Sequence, residues 1–110
     1  MKIVYVAHPF TNDPVGNMAK IEKIMKYLTL NYPDICFVSP LHNFSYDKDA
    51  KEADILPKCL NLLSQCAELW VFGDYAKSTG CHAEIAYARY LSIPVLFRRN
   101  KGLIVWTKNR

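Results

Sequence analysis

Residues 71–97 read VFGDYAKSTGCHAEIAYARYLSIPVLF. An apolar run closes at Gly73, a polar turn carries Ser78-Thr79-Gly80, and a helical pattern follows over 80–91. A second apolar run, IPVLFR, then begins at Ile93. Two continuous apolar runs joined by one helix predict parallel strands in a sheet covered on both faces. One residue breaks the pattern. Glu84 shares its helical stripe with Cys81, Tyr87, Ala88 and Leu91, while His82 and Arg89 mark the outer face. A first-turn glutamate on the outside would serve the helix dipole or close a capping box. On the core stripe its burial is costly unless it is hydrogen-bonded, and beside a strand-end cleft it suits a nucleophile or base. Both readings stand on the residues alone.

The same alternation extends toward both ends. KIVYVA (2–7), ICFVSP (35–40) and ELWVFG (68–73) read as strands, and LIVWT (103–107) as a further one. A helix is predicted over 17–31 from Met18, Ile21, Ile24, Met25 and Leu28. A second is predicted over 54–66 from Ile55, Cys59, Leu62, Leu63 and Cys66, with Pro57 in its first turn. TNDPVGN and residues 41–53 read as loops. Strands alternating with helices predict a flavodoxin-like, Rossmann-like parallel sheet of four or five strands with helices on both faces. Ligands of such sheets bind outside the carboxyl ends of the strands. Those ends carry His8-Pro9-Phe10, Ser39-Pro40, Gly73-Asp74-Tyr75 and Arg98-Arg99.

Composition narrows the function classes. A length of 110 residues, half of them hydrophobic, predicts one domain over 1–110. No apolar run approaches 18 residues, so no membrane span is expected, and MKIVYVAHPF is too short for a leader. The expected location is the cytoplasm. Cys36, Cys59, Cys66 and Cys81 form no C-x-x-C pair and read as thiols of a reducing compartment; Cys81, at a helix start, is also a candidate reactive thiol. The net charge of +4 is weighted toward Arg98, Arg99, Lys101, Lys108 and Arg110. No RNA-binding motif or aromatic-basic repeat accompanies it, so nucleic acid is not the expected partner. His8, His42 and His82 share no ligand spacing, and neither metal nor cofactor is expected.

The start of the helix at 80 is a natural anion site, with free N–H groups and the positive end of the dipole. Ser78 or Thr79 serves there either as an N-cap or as a ligand contact. Neither G-x-x-x-x-G-K-[ST] nor G-x-G-x-x-G is present, which removes the main support for nucleoside triphosphate hydrolysis and for NAD binding.

IVYVAHPF, LNLLSQCAELWVFGD and STGCHAEIAYARYLSIPV together resemble the nucleoside 2-deoxyribosyltransferase superfamily, over roughly residues 1–97. The similarity is to its short bacterial and phage branch and to the 2'-deoxynucleoside 5'-phosphate N-hydrolases. The resemblance implies a flavodoxin-like fold and makes Glu84 the nucleophile at the anomeric carbon. It sets Tyr5 beside that nucleophile, Ser78 on the 5'-phosphate with Thr79 and Gly80, and His8, Pro9 and Phe10 around sugar and base. The superfamily's aspartate near the second helix falls at Cys59 or Leu60 here, leaving Asp54 and Asp74 as the acidic candidates nearby. The activity implied is N-glycosidic hydrolysis or deoxyribosyl transfer on nucleoside 5'-monophosphates. The alternative is a non-catalytic protein that sequesters or senses a nucleotide. The resemblance also implies a homo-oligomer with shared pockets, for which Phe44, Tyr46 and Trp106 are interface candidates.

Overall fold

The computed structural model describes residues 1–47, 49–98 and 106–108, the last three by their backbone. Five strands form one sheet: β1 (Lys2–Ala7), β2 (Ile35–Val38), β3 (Glu68–Val71), β4 (Val95–Arg98) and β5 (Trp106–Lys108). Their spatial order is β2-β1-β3-β4-β5. The first four are parallel and β5 runs antiparallel to β4. This is the flavodoxin-like order, whose switch point lies between β1 and β3.

Continuous apolar strands follow from the two covered faces. In β1, Val4 and Val6 face one layer while Tyr5 and Ala7 face the other. In and just beyond β3, Trp70 and Phe72 join Val4 and Val6, while Leu69 and Val71 join Tyr5. Helix α1 (Pro14–Asn31) covers the first face through Ile21 and Leu28. Helices α3 (Glu52–Leu63) and α4 (Thr79–Tyr90) cover the second through Cys59, Leu63, Cys81, Ile85 and Ala88. No helix among the described residues is long and apolar enough to cross a membrane.

Several boundaries differ from the pattern reading. Helix α1 begins at Pro14, not 17, because Asp13 caps it by accepting from the Gly16 amide and Pro14 takes the first helical position. The stretch read as a loop over 41–53 contains a short helix, α2 (Pro40–Phe44). Its Leu41 and Phe44 pack onto opposite core layers, a tertiary support that local polarity conceals. Helix α3 spans Glu52–Leu63 rather than 54–66, so Pro57 is its sixth residue and not a first-turn one. The run expected over 103–107 pairs at Trp106–Lys108, and as an antiparallel strand; residues 103–105 lie outside the described residues.

Candidate active site

The loops after β1 and β2 meet the starts of α3 and α4 around one cavity of about 780 Å³. His8 and Phe10 line it from β1, Pro40 and Leu41 from β2, and Ser78, Gly80 and Cys81 from the start of α4. It therefore opens at the carboxyl ends of the strands flanking the switch point, the position at which such sheets take ligands.

Glu84 also lines this cavity and is only 6% exposed. Ser78 sets its place. The Ser78 hydroxyl caps α4 by accepting from the Cys81 amide, which fixes the helix one turn before Glu84. Behind the carboxylate stands Tyr5, fully buried at the centre of β1, whose hydroxyl donates to Glu84 Oε2. A residue from the first strand and one from the last helix, 79 positions apart, thus make a buried pair. Burial pushes the Glu84 carboxyl up to about 7, against the lowering effect of the Tyr5 hydrogen bond; the negative field of Glu52 raises it further. Burial and the facing Glu84 carboxylate push the Tyr5 hydroxyl far above its ordinary value, so it stays a donor.

The Cys59 thiol, on α3, lines the cavity and belongs to the same core cluster as Tyr5. Burial followed by the field of Glu84 pushes it up to about 11, and Cys81 is pushed up to about 12, chiefly by burial. The resemblance puts an aspartate near Cys59, and neither thiol is a ready proton donor at neutral pH. Cys81 at the helix start is held protonated rather than activated, because burial outweighs the Ser78 contact that lowers it. All four cysteines are free.

His8 is buried, and its Nδ1 donates to the Pro9 carbonyl at 2.8 Å. Burial lowers its pKa despite that bond, so the ring is neutral at neutral pH and Nε2 is left as an acceptor. The turn carrying it presses on Gly73: a Cβ there would stand 2.9 Å from His8 Nε2 and 3.0 Å from Pro9 Cδ. With φ at +75°, this position takes glycine for both reasons.

Of the residues expected at the site, Glu84, Ser78, Gly80, His8 and Phe10 line the cavity, and Tyr5 backs Glu84. Pro9 is buried beneath the turn, Thr79 is exposed at the first position of α4, and Asp74 is exposed after β3; none of the three is among the lining residues. Asp54, the other acidic candidate, accepts from the Lys51 amide at the start of α3. Arg98 stacks over Tyr27 of α1, 5.8 Å from the ring centre, and is not a lining residue. Arg99 lies outside the described residues. His42 bonds Ser39, and His82 bonds the Ala76 carbonyl on the exposed face of α4.

The residue that sequence reasoning missed is Glu52. It opens α3, lines the cavity, and its Oε1 stands 3.2 Å from where a Gly80 Cβ would be. A carboxylate therefore faces the amino end of α4, the niche that the motif reading reserved for a phosphate. The only local signal was an acid in the first turn of a helix, which a dipole explains equally well.

The family described as "Domain of unknown function (DUF7768)" matches residues 2–98. No curated protein matches the chain in sequence. Several solved structures are similar in fold, among them these three. A 2-deoxyribosyltransferase from Bacillus psychrosaccharolyticus superposes with a TM-score of 0.62 at 19% identity, over 94% of this chain and 76% of its own. A 2-deoxyribosyltransferase from Leishmania mexicana gives 0.65 at 18%, over 88% and 63%. A conserved protein from Enterococcus faecalis V583 gives 0.72 at 17%, over 93% and 69%. The chain thus spans less than two thirds of the Leishmania protein's length. At these identities the likeness is one of fold, and the fold is that of the 2-deoxyribosyltransferases.

Proposed function

The chain belongs to the family described as "Domain of unknown function (DUF7768)", and from that premise we propose that it is an enzyme of nucleoside N-glycosidic bonds, a hydrolase or a transferase, with Glu84 as nucleophile. The observation that carries this reading is the buried Tyr5–Glu84 pair facing the cavity at the switch point. A carboxyl held near pH 7 is substantially ionised at neutral pH, and the Tyr5 hydroxyl fixes which oxygen is free to react. That oxygen attacks C1' as the C1'–N bond breaks, through an oxocarbenium-like transition state. The bonding pair leaves with the base, and a glycosyl ester of Glu84 remains. Water, or the nitrogen of a second base, then opens the ester and restores the carboxylate.

A 5'-monophosphate, the finer expectation, draws its support from the Ser78 hydroxyl and the start of α4; the carboxylate of Glu52 beside them weighs against it. The reading takes residues 1–110 as one such domain, working in a reducing interior that suits its free thiols. It also includes a second copy of the chain over the cavity mouth. Val15 on the rim is 85% exposed, and Tyr46, between the lining residues Ser45 and Asp47, is 86% exposed. A second reading, a protein that binds a nucleoside without cleaving it, is favoured by one observation: the weakly acidic Cys59 thiol where the resemblance puts a carboxyl.

Chromatography of free base from a panel of nucleosides tests the proposal. Glu84→Gln keeps the shape and the Tyr5 partner and should slow base release by on the order of 10⁴-fold or more. Acid-quenched wild type should carry a sugar adduct on the peptide containing Glu84. Undiminished turnover by the variant would sink the nucleophile, and binding without turnover by wild type would favour the second reading.

A further inference from the structure

The charge balance of the cavity is lopsided. Glu22, Asp47, Glu52 and Glu84 line it, and among the described residues no lysine or arginine does. Glu52 stands at the start of α4, and its field reaches both Glu84 and Cys81. Among the described lining residues and Tyr5 behind them, no thiol, imidazole or phenol stands ready to protonate a departing base. The thiols are held high, the histidine is neutral, and the Tyr5 proton is committed to Glu84. A neutral nucleoside cleaved here would expel its base as an anion, with no proton from these groups, beside the three carboxylates of Glu22, Asp47 and Glu52.

We propose that the cavity takes an unphosphorylated nucleoside whose base carries a positive charge, a pyridinium or an N7-alkylated purine, and that Glu52 selects for it by attracting the cation and repelling a 5'-phosphate. This rests on Glu84 acting as the nucleophile. The charges balance without an acid. The Glu84 carboxylate forms its bond to C1' as the C1'–N bond breaks, and the bonding pair stays on the ring nitrogen. One anion and one cation become a neutral ester and a neutral base. Water then cleaves the ester, releasing the free sugar, the Glu84 carboxylate and one proton to solvent. The remaining carboxylates face the positive charge as it passes from base to sugar, which stabilises it along the whole step.

Nicotinamide riboside and its reduced 1,4-dihydro form have the same framework and differ in ring charge, so they make a matched pair of probes. The cationic form should bind wild type about 10-fold or more tighter, on the scale of a contact with a charged partner, by calorimetry. Glu52→Gln should erase most of that preference while leaving the neutral form's affinity unchanged. Nicotinamide mononucleotide should bind wild type more weakly than the riboside, and Glu52→Gln should narrow the gap. In the base-release assay, 7-methylguanosine should outpace guanosine by about 10²–10⁴-fold, the usual contribution of the missing acid. Equal binding of the two riboside forms overturns the proposal whatever the turnover, as does faster release from guanosine. Selective binding of the cation with no base release from any nucleoside would uphold the ligand class and overturn the nucleophile reading instead.

Discussion

Glu84 concentrates the chemistry of this chain into one titration. Burial raises its carboxyl from 4.5 to about 7, so the folded chain holds that proton more tightly than the unfolded chain does. The stabilisation this gives is fully present below pH 4.5 and is lost as pH rises to about 7. Converted at 1.36 kcal/mol per unit, the loss is about 3 kcal/mol. Glu84→Gln has no such titration. Its stability relative to wild type should therefore climb by about 3 kcal/mol between pH 4.5 and pH 8, read from denaturant midpoints at each pH. A flat difference would mean the carboxyl is not held up. The same proton gates the reaction, since only the ionised form attacks. The acidic limb of kcat/KM against pH should accordingly have its midpoint near 7, well above that of an ordinary glutamate.

At the scale of elements, α4 is built from its two ends. Ser78 caps its start, and Leu91, Ser92 and Ile93 turn the chain into β4. There the Ile93 amide donates to the Ala88 carbonyl at 2.8 Å while Ser92 sits at a φ of +60°, a left-handed helix stop in which glycine is the usual residue. Ser92→Gly removes the Cβ clash and should raise stability by about 0.5–1 kcal/mol, seen as a higher melting temperature with activity unchanged. A lower melting temperature would mean that the Ser92 side chain compensates for its backbone. The periodicity of α4 was legible because its apolar stripe is regular, and the strands were legible because both their faces are buried. Helix α2 and the early start of α3 were not. Leu41 and Phe44 touch different core layers, and a five-residue helix is too short to show a period.

For the molecule as a whole, the exposed apolar side chains at the cavity mouth bear on assembly. Apolar Val15 and Tyr46 stand in solvent around a cleft whose wall is acidic. A second copy laid over the rim would bury both and enclose the ligand. Light scattering coupled to size exclusion should give a mass near twice 12.7 kDa at micromolar concentration. Val15→Lys with Tyr46→Lys should return it to 12.7 kDa. A wild-type monomer would leave the cavity to be closed by ligand alone. Of the other interface candidates, Phe44 is half-buried in the chain's own core, and the Trp106 side chain lies outside the described residues.

What the sequence determined by itself is the parallel architecture and the oddity of one glutamate. Alternating strands and helices admit few topologies, and a charge on a core stripe stands out against its neighbours without any coordinates. What only the tertiary structure decided is what that glutamate faces. Tyr5 is its partner because β1 lies beside β3 and under α4, a juxtaposition across 79 residues that no local pattern encodes. Glu52 reaches the same cavity because α3 starts two residues earlier than its periodicity suggests and packs against α4. A phosphate niche was read from Ser78 and a helix start, both local features. The carboxylate opposite them comes from another helix, and electrostatics depends on distance through space rather than along the chain.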